Sequence, residues 1–186
     1  MLLAFVISFA SALRYGFSAS DSPTVVEQVI ARQLRHWAVP ADLRRKTNPI
    51  RLTPEILAES RAHFADHCAI CHGNDGKGQT QMGQHMYPRV PDMTLARTQD
   101  LSDGELFGII ENGIRLTGMP GWGNGTAESG RASWTLVHFI RHLPKITPEE
   151  IAEMEKLNPK TPHEYAEMQE EEKFLAGGHS PQPHHH

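Results

Sequence analysis

The chain has 186 residues, two cysteines and a formal net charge of −4, with 39% hydrophobic and 22% charged residues. That length suits one core domain with extensions and excludes a large multidomain catalyst, while two cysteines exclude a fold held by several disulfides. Residues 1–52 carry 7 basic and 3 acidic groups, 53–146 carry 8 and 10, and 147–186 carry 3 and 9. No strong basic field covers the centre and no RNP motif or paired zinc-ligand set occurs, which argues against a nucleic-acid partner.

Residues 1–20 read as a signal peptide or membrane anchor. Met1 to Leu13 is uncharged and almost wholly apolar, the length of a signal-peptide core but short of the ~20 residues that span a bilayer. A basic leader is missing, whereas Ser18 and Ser20 set small residues ahead of a possible cut before Asp21. With Arg14 snorkelling and Tyr15 and Phe17 in the headgroup zone, the segment can serve as a short anchor, the reading we prefer. Arg32, Arg35, Arg44, Arg45 and Lys46 all follow it, which the positive-inside rule opposes if the C-terminus lies outside. Either reading places the chain in the periplasm or on the periplasmic face of the cytoplasmic membrane.

Residues 21–52 predict an amphipathic helix and a basic linker. Ser22 is the expected N-cap and Pro23 the first helical residue, followed by Val26, Val29, Ile30, Leu34 and Trp37 at helical spacing. That stripe fits a membrane surface, with Trp37 at the interface, as well as it fits its own domain or a neighbouring subunit.

The core domain is expected over 53–146. Thr53, Pro54 and Glu55 form a helix start, and Ile56, Leu57, Phe64 and Ala65 give an apolar face running into Cys68-Ala69-Ile70-Cys71-His72. Cysteines three apart at a helix end match the two vinyl groups on one edge of a haem, and the adjacent histidine can coordinate its iron. A structural zinc site lacks a second cysteine pair. A thioredoxin-like pair would sit at a strand-to-helix junction, whereas a helix precedes this one.

A distal ligand is sought among the methionines. Met119 stands in Gly118-Met119-Pro120-Gly121-Trp122, where the proline biases it toward an extended backbone and lets its thioether project from a loop. Residues 113–130 hold six of the fifteen glycines, so backbone there can approach a flat cofactor. His85, His138 and His142 are ranked below it.

Ordered as helix, Cys-x-x-Cys-His, glycine-rich loop, helix, Gly-Met-Pro loop and final helix, residues 53–146 resemble a class I c-type cytochrome with one haem. The resemblance implies an all-α cytochrome c fold around one covalently bound haem c, here with the N-terminal helix and an acidic helical extension added. It further implies thioethers to Cys68 and Cys71, iron ligation by His72 and Met119, and a Pro91 carbonyl that receives the second ring nitrogen of His72. The family's usual glycine four residues before the first-helix aromatic is replaced by Ser60, ahead of Phe64.

Ser102 and Glu105 form a capping box for a helix that buries Leu106, Phe107, Ile109 and Ile110 and closes at Gly113. A last helix is expected from Ala132 or Ser133, with Trp134, Leu136, Val137, Phe139, Ile140 and Leu143 crossing the first helix. Trp122 either lines the cofactor's propionate side or fills the core.

The acidic helical extension, 147–186, starts one helix at Thr147-Pro148-Glu149-Glu150 and another at Thr161 with Glu164. In the second, the thin stripe of Tyr165, Met168 and Leu175 among glutamates predicts a partly solvated, charged face, which we prefer to a docking surface. His179, His184, His185 and His186 carry no assigned role.

The expected function is one-electron transfer between redox proteins, a membrane oxidoreductase complex or terminal oxidase among them, with no small-molecule substrate. The alternative is a haem peroxidase or a haem-based redox or gas sensor, which requires a labile or absent distal ligand.

Overall fold

A computed structural model describes residues 6–7, 19, 22–160 and 162–175. The anchor segment, apart from those three positions, and the terminal histidines lie outside the described residues. Among the described residues there is no strand, and no helix is long and apolar enough to cross a membrane.

Helix α1 spans Val25–Ala38 and α2 Ala41–Arg44; the core begins with α3, Pro54–His63. Thr24, not Ser22, caps α1, and Pro23 stays outside it. The reason is reciprocal: the Thr24 hydroxyl accepts from the Glu27 N–H, and the Glu27 carboxylate accepts from the Thr24 N–H at 2.6 Å. The apolar stripe of α1 forms as predicted but is left uncovered, with Val26, Val29, Ile30, Leu34 and Trp37 all at least half exposed.

In α3 the Thr53 hydroxyl accepts from the Ile56 N–H and Pro54 opens the first turn. The helix widens into a π-helical turn at Phe64–Cys68 and ends in α4, Ala69–His72. Short helices α5, Gln81–Gln84, and α6, Ala96–Gln99, follow, then α7, Asp103–Asn112, with the expected Ser102–Glu105 capping box and Gly113 at its end.

Helix α8 spans Ala127–His142, several residues longer than the sequence predicts. Three glycines at 123, 125 and 130 disguise its start, but the Thr126 hydroxyl accepts from the Ser129 N–H and sets the cap there. It runs into a 3-10 turn at Leu143–Lys145 that contains Pro144.

The core lies where α3 crosses α8. Ser60 is fully buried at that crossing and satisfies its hydroxyl by donating to the Leu57 carbonyl at 3.0 Å, so it replaces the family's glycine without an orphaned polar group. Beside it, the Phe64 and Phe139 rings lie 4.8 Å apart. Arg141 pins the other end of α8, donating to the carbonyls of Gln99 and Leu101 and to the Asp103 carboxylate.

Helix α9, Pro148–Leu157, belongs to this packed unit. Met154 is fully buried within the core, Glu150 takes His142 and Arg61, and Arg61 also reaches Glu153 at 2.7 Å. The packing therefore runs past residue 146, where charge composition alone places the boundary. Helix α10, Pro162–Leu175, exposes Tyr165, Met168 and Leu175, as its thin stripe predicts.

Candidate haem site

One cavity gathers the residues that the sequence singles out: Cys68, Cys71, His72, Pro91, Met119 and Trp122 all line it. Its walls are mostly apolar, with Leu106, Ile109 and Ile110 from α7 and Leu136 and Ile140 from α8.

The proximal side is set by the helix that leads into the motif and the loop that leaves it. Gly73 adopts φ 73° just after His72, where a left-handed turn ends α4. The chain then folds back, with the Gly78 N–H donating to the His72 carbonyl at 2.7 Å and Thr80 Oγ1 donating to the Cys71 carbonyl at 3.0 Å. The Val90 N–H donates to the Gly83 carbonyl and the Met93 N–H to the Gly76 carbonyl at 2.8 Å, which carries Pro91 to the cavity wall.

Burial governs the chemistry of these groups. It pushes the Cys68 thiol up to about 12, with Cys71 adding to the effect, and it raises the Cys71 thiol. It pushes His72 down to about 4, so the imidazole is neutral and its ring nitrogens can bind a metal. His72 Nδ1 is buried and has no hydrogen-bond partner. The bond expected to the Pro91 carbonyl is therefore not made among the described residues, although Pro91 lines the same cavity.

The distal side is a loop tied to the end of α7. The Trp122 N–H donates to the Ile110 carbonyl, the Gly123 N–H to that of Glu111, and the Ile114 N–H to that of Met119 at 3.1 Å. Gly113 permits this crossing: a β-carbon there would lie 2.5 Å from both the Pro120 carbonyl carbon and the Gly121 nitrogen. Met119 is half-buried at the cavity.

His85, His138 and His142 do not line the cavity. His138 donates to the Ile50 carbonyl, and His142 donates to Glu150, while His85 Nδ1 lies 2.7 Å from the Gln81 carbonyl. Trp122 is 38% exposed and meets the His67 ring edge-on at 5.5 Å, so it belongs to the cavity rim and not to the core.

Among the lining residues not singled out as site residues in the sequence are His67, Met86 and Arg35. His67 precedes the first cysteine by one residue, a position that only the turn of the helix brings to the cavity. Met86 reaches it from the 85–91 loop, its sulfur 2.6 Å from where a Gly118 β-carbon would stand. Arg35 arrives from α1.

Two protonated thiols one helical turn apart, a neutral imidazole with an unpartnered buried nitrogen and an apolar slot fit a covalently bound haem. Residues 56–140 match the family model described as Cytochrome C oxidase, cbb3-type, subunit III. This region is a class I c-type cytochrome domain. A curated relative, thiosulfate dehydrogenase of Stutzerimonas stutzeri (strain A1501), is 26% identical over 85 residues, covering 40% of this chain and 28% of the relative's length. The cytochrome domain carries haem c with its iron, and its chemistry is haem-based electron transfer. Bound there, the haem supplies a one-electron Fe(III)/Fe(II) couple; the chain supplies attachment, ligands and a dry wall.

Proposed function

We propose that the chain is a monohaem electron carrier in which His72 and Met119 ligate the iron and Cys68 and Cys71 hold the thioethers. One observation carries this reading: Met119 shares the cavity with the Cys-x-x-Cys-His residues, while each histidine considered for the distal side is held away from it. A neutral imidazole and a neutral thioether can stay on iron in both oxidation states, so electron exchange needs little rearrangement. The apolar walls disfavour the extra positive charge of the oxidised centre and raise the reduction potential.

The proposed partners are a membrane oxidoreductase complex or a terminal oxidase, in keeping with the oxidase subunit named by the family model. Ile70, between the two cysteines, is 56% exposed and Leu116 of the distal loop 90% exposed, giving an apolar rim suited to brief docking. We further propose a location at the periplasmic face of the cytoplasmic membrane, supported by the apolar run Met1 to Leu13 and the uncovered stripe of α1 beyond it.

The oxidised holoprotein tests the ligand set. A near-infrared methionine-to-iron charge-transfer band is expected, lost in Met119→Ala and kept in Met86→Ala. A high-spin spectrum in the unmodified protein would instead favour a peroxidase or sensor, and loss of the band only in Met86→Ala would move the ligand to Met86.

A further inference from the structure

Within Val25–Ala38 every residue is exposed except Arg35, which is half-buried. An amphipathic helix thus leaves its apolar stripe in solvent and turns a cation inward, the reverse of ordinary burial. Arg35 lines the cavity that holds Cys68, Cys71, His72 and Met119.

The placement of Arg35 is fixed by packing. Val39 follows it by four residues, on the same side of the helix, and is buried, with its methyl carbons near the space where a Gly108 β-carbon would stand. The Leu43 carbonyl packs directly on Gly104. His36 Nδ1 lies 3.1 Å from Glu105 Oε1, and Arg44 donates to the His36 carbonyl at 2.7 Å.

Of the basic residues that line the cavity besides His72, His67 and Arg89 are exposed and Arg35 is partly withdrawn from water. Burial lowers its pKa, and the nearby Glu105 opposes that only in part while also accepting from the Ser102 N–H and meeting His36. A guanidinium held at an apolar wall calls for an anion in the cavity. Haem c brings two propionate carboxylates, and a planar guanidinium can meet a carboxylate through two parallel N–H bonds.

We propose that Arg35 binds a haem propionate, so that the helix ahead of the cytochrome domain is latched to the cofactor. The inference rests on the presence of haem c and not on Met119 as the distal ligand. The pair neutralises a propionate charge that would otherwise favour oxidised iron, and Arg35 therefore raises the reduction potential.

The test uses the full holoprotein at one pH, so that Glu105, His36, Arg32 and Arg89 keep the same charge state in each comparison. Arg35→Gln is expected to lower the midpoint potential and shift the propionate-bending band in the resonance Raman spectrum. Arg35→Lys is expected to restore most of the potential. Arg32→Gln, which removes an exposed charge from the same helix, should leave the Raman band in place. Unchanged potential and band in Arg35→Gln overturn the proposal, and so does an equal response in Arg32→Gln, which would signify a diffuse charge effect. A pyridine haemochrome spectrum of the unmodified protein checks the covalent cofactor separately.

Discussion

The carbonyl oxygen of Leu43 rests against Gly104 so closely that a β-carbon at that position would overlap it. Gly104 and Gly108 are both buried on α7, and α2 uses the groove they leave. The N-terminal extension is thereby held on the element that also supplies Leu106, Ile109 and Ile110 to the haem cavity.

Gly104→Val is expected to lift α2 from α7, because the obstructing atom is backbone and cannot rotate away. Overpacking of this kind costs about 1–3 kcal/mol. Limited proteolysis should then cut between residues 38 and 50 faster than in the unmodified protein, with the haem retained. An unchanged cleavage rate would show that the extension is not held by this groove.

The haem motif was legible in the sequence because it is local: Cys68 to His72 are five consecutive residues, and Met119, proposed as the distal ligand, is marked by the proline beside it. Helix starts with reciprocal caps, at Ser102 and Thr147, were legible for the same reason. The start of α8 was not, since Gly125 and Gly130 imitate a loop on either side of the Thr126 cap. Arg35, His67 and Met86 reach the cavity only through packing between distant segments, which no local pattern announces. The same holds for Met154, whose burial extends the core into a segment that composition marks as an acidic extension.

Ser60 offers a direct measure of how tight the α3–α8 crossing is. Ser60→Ala should change stability little, because the lost hydrogen bond ran to its own helix at Leu57. Ser60→Leu should destabilise by about 1–3 kcal/mol through overpacking. Denaturant unfolding of the two variants compares them, and equal midpoints would mean that the crossing has room to spare.

Acidification should loosen α9. Burial works against the Glu150 carboxylate, but bonds from His142 and the Thr147 N–H, with the charges of His142 and Arg61, outweigh it and hold its pKa below the ordinary 4.5. A carboxyl that is more acidic when folded contributes stability above pH 4.5 and loses it as pH falls through its folded value. Unfolding midpoints measured downward from pH 6 should therefore decline below about pH 4.5. Glu150→Gln should flatten part of that decline, the remainder belonging to Glu59 and Glu105, which are lowered as well. A variant whose slope matches the unmodified protein would remove Glu150 from the linkage.

Met154→Ala tests whether α9 is structural to the cytochrome core. The side chain is fully buried, and its cluster includes Phe64, Ala65 and Leu143, close to the turn that presents Cys68. Truncating a buried methionine costs about 2–5 kcal/mol, the larger values applying where neighbours cannot collapse into the space. The π-helical turn at Phe64–Cys68 packs against α9, so the loss should also reach the haem site. The expected result is a lowered unfolding midpoint together with faster exchange of the amides at residues 64–68. If instead stability falls and those amides keep their protection, α9 supports the fold without bracing the turn that carries the first thioether.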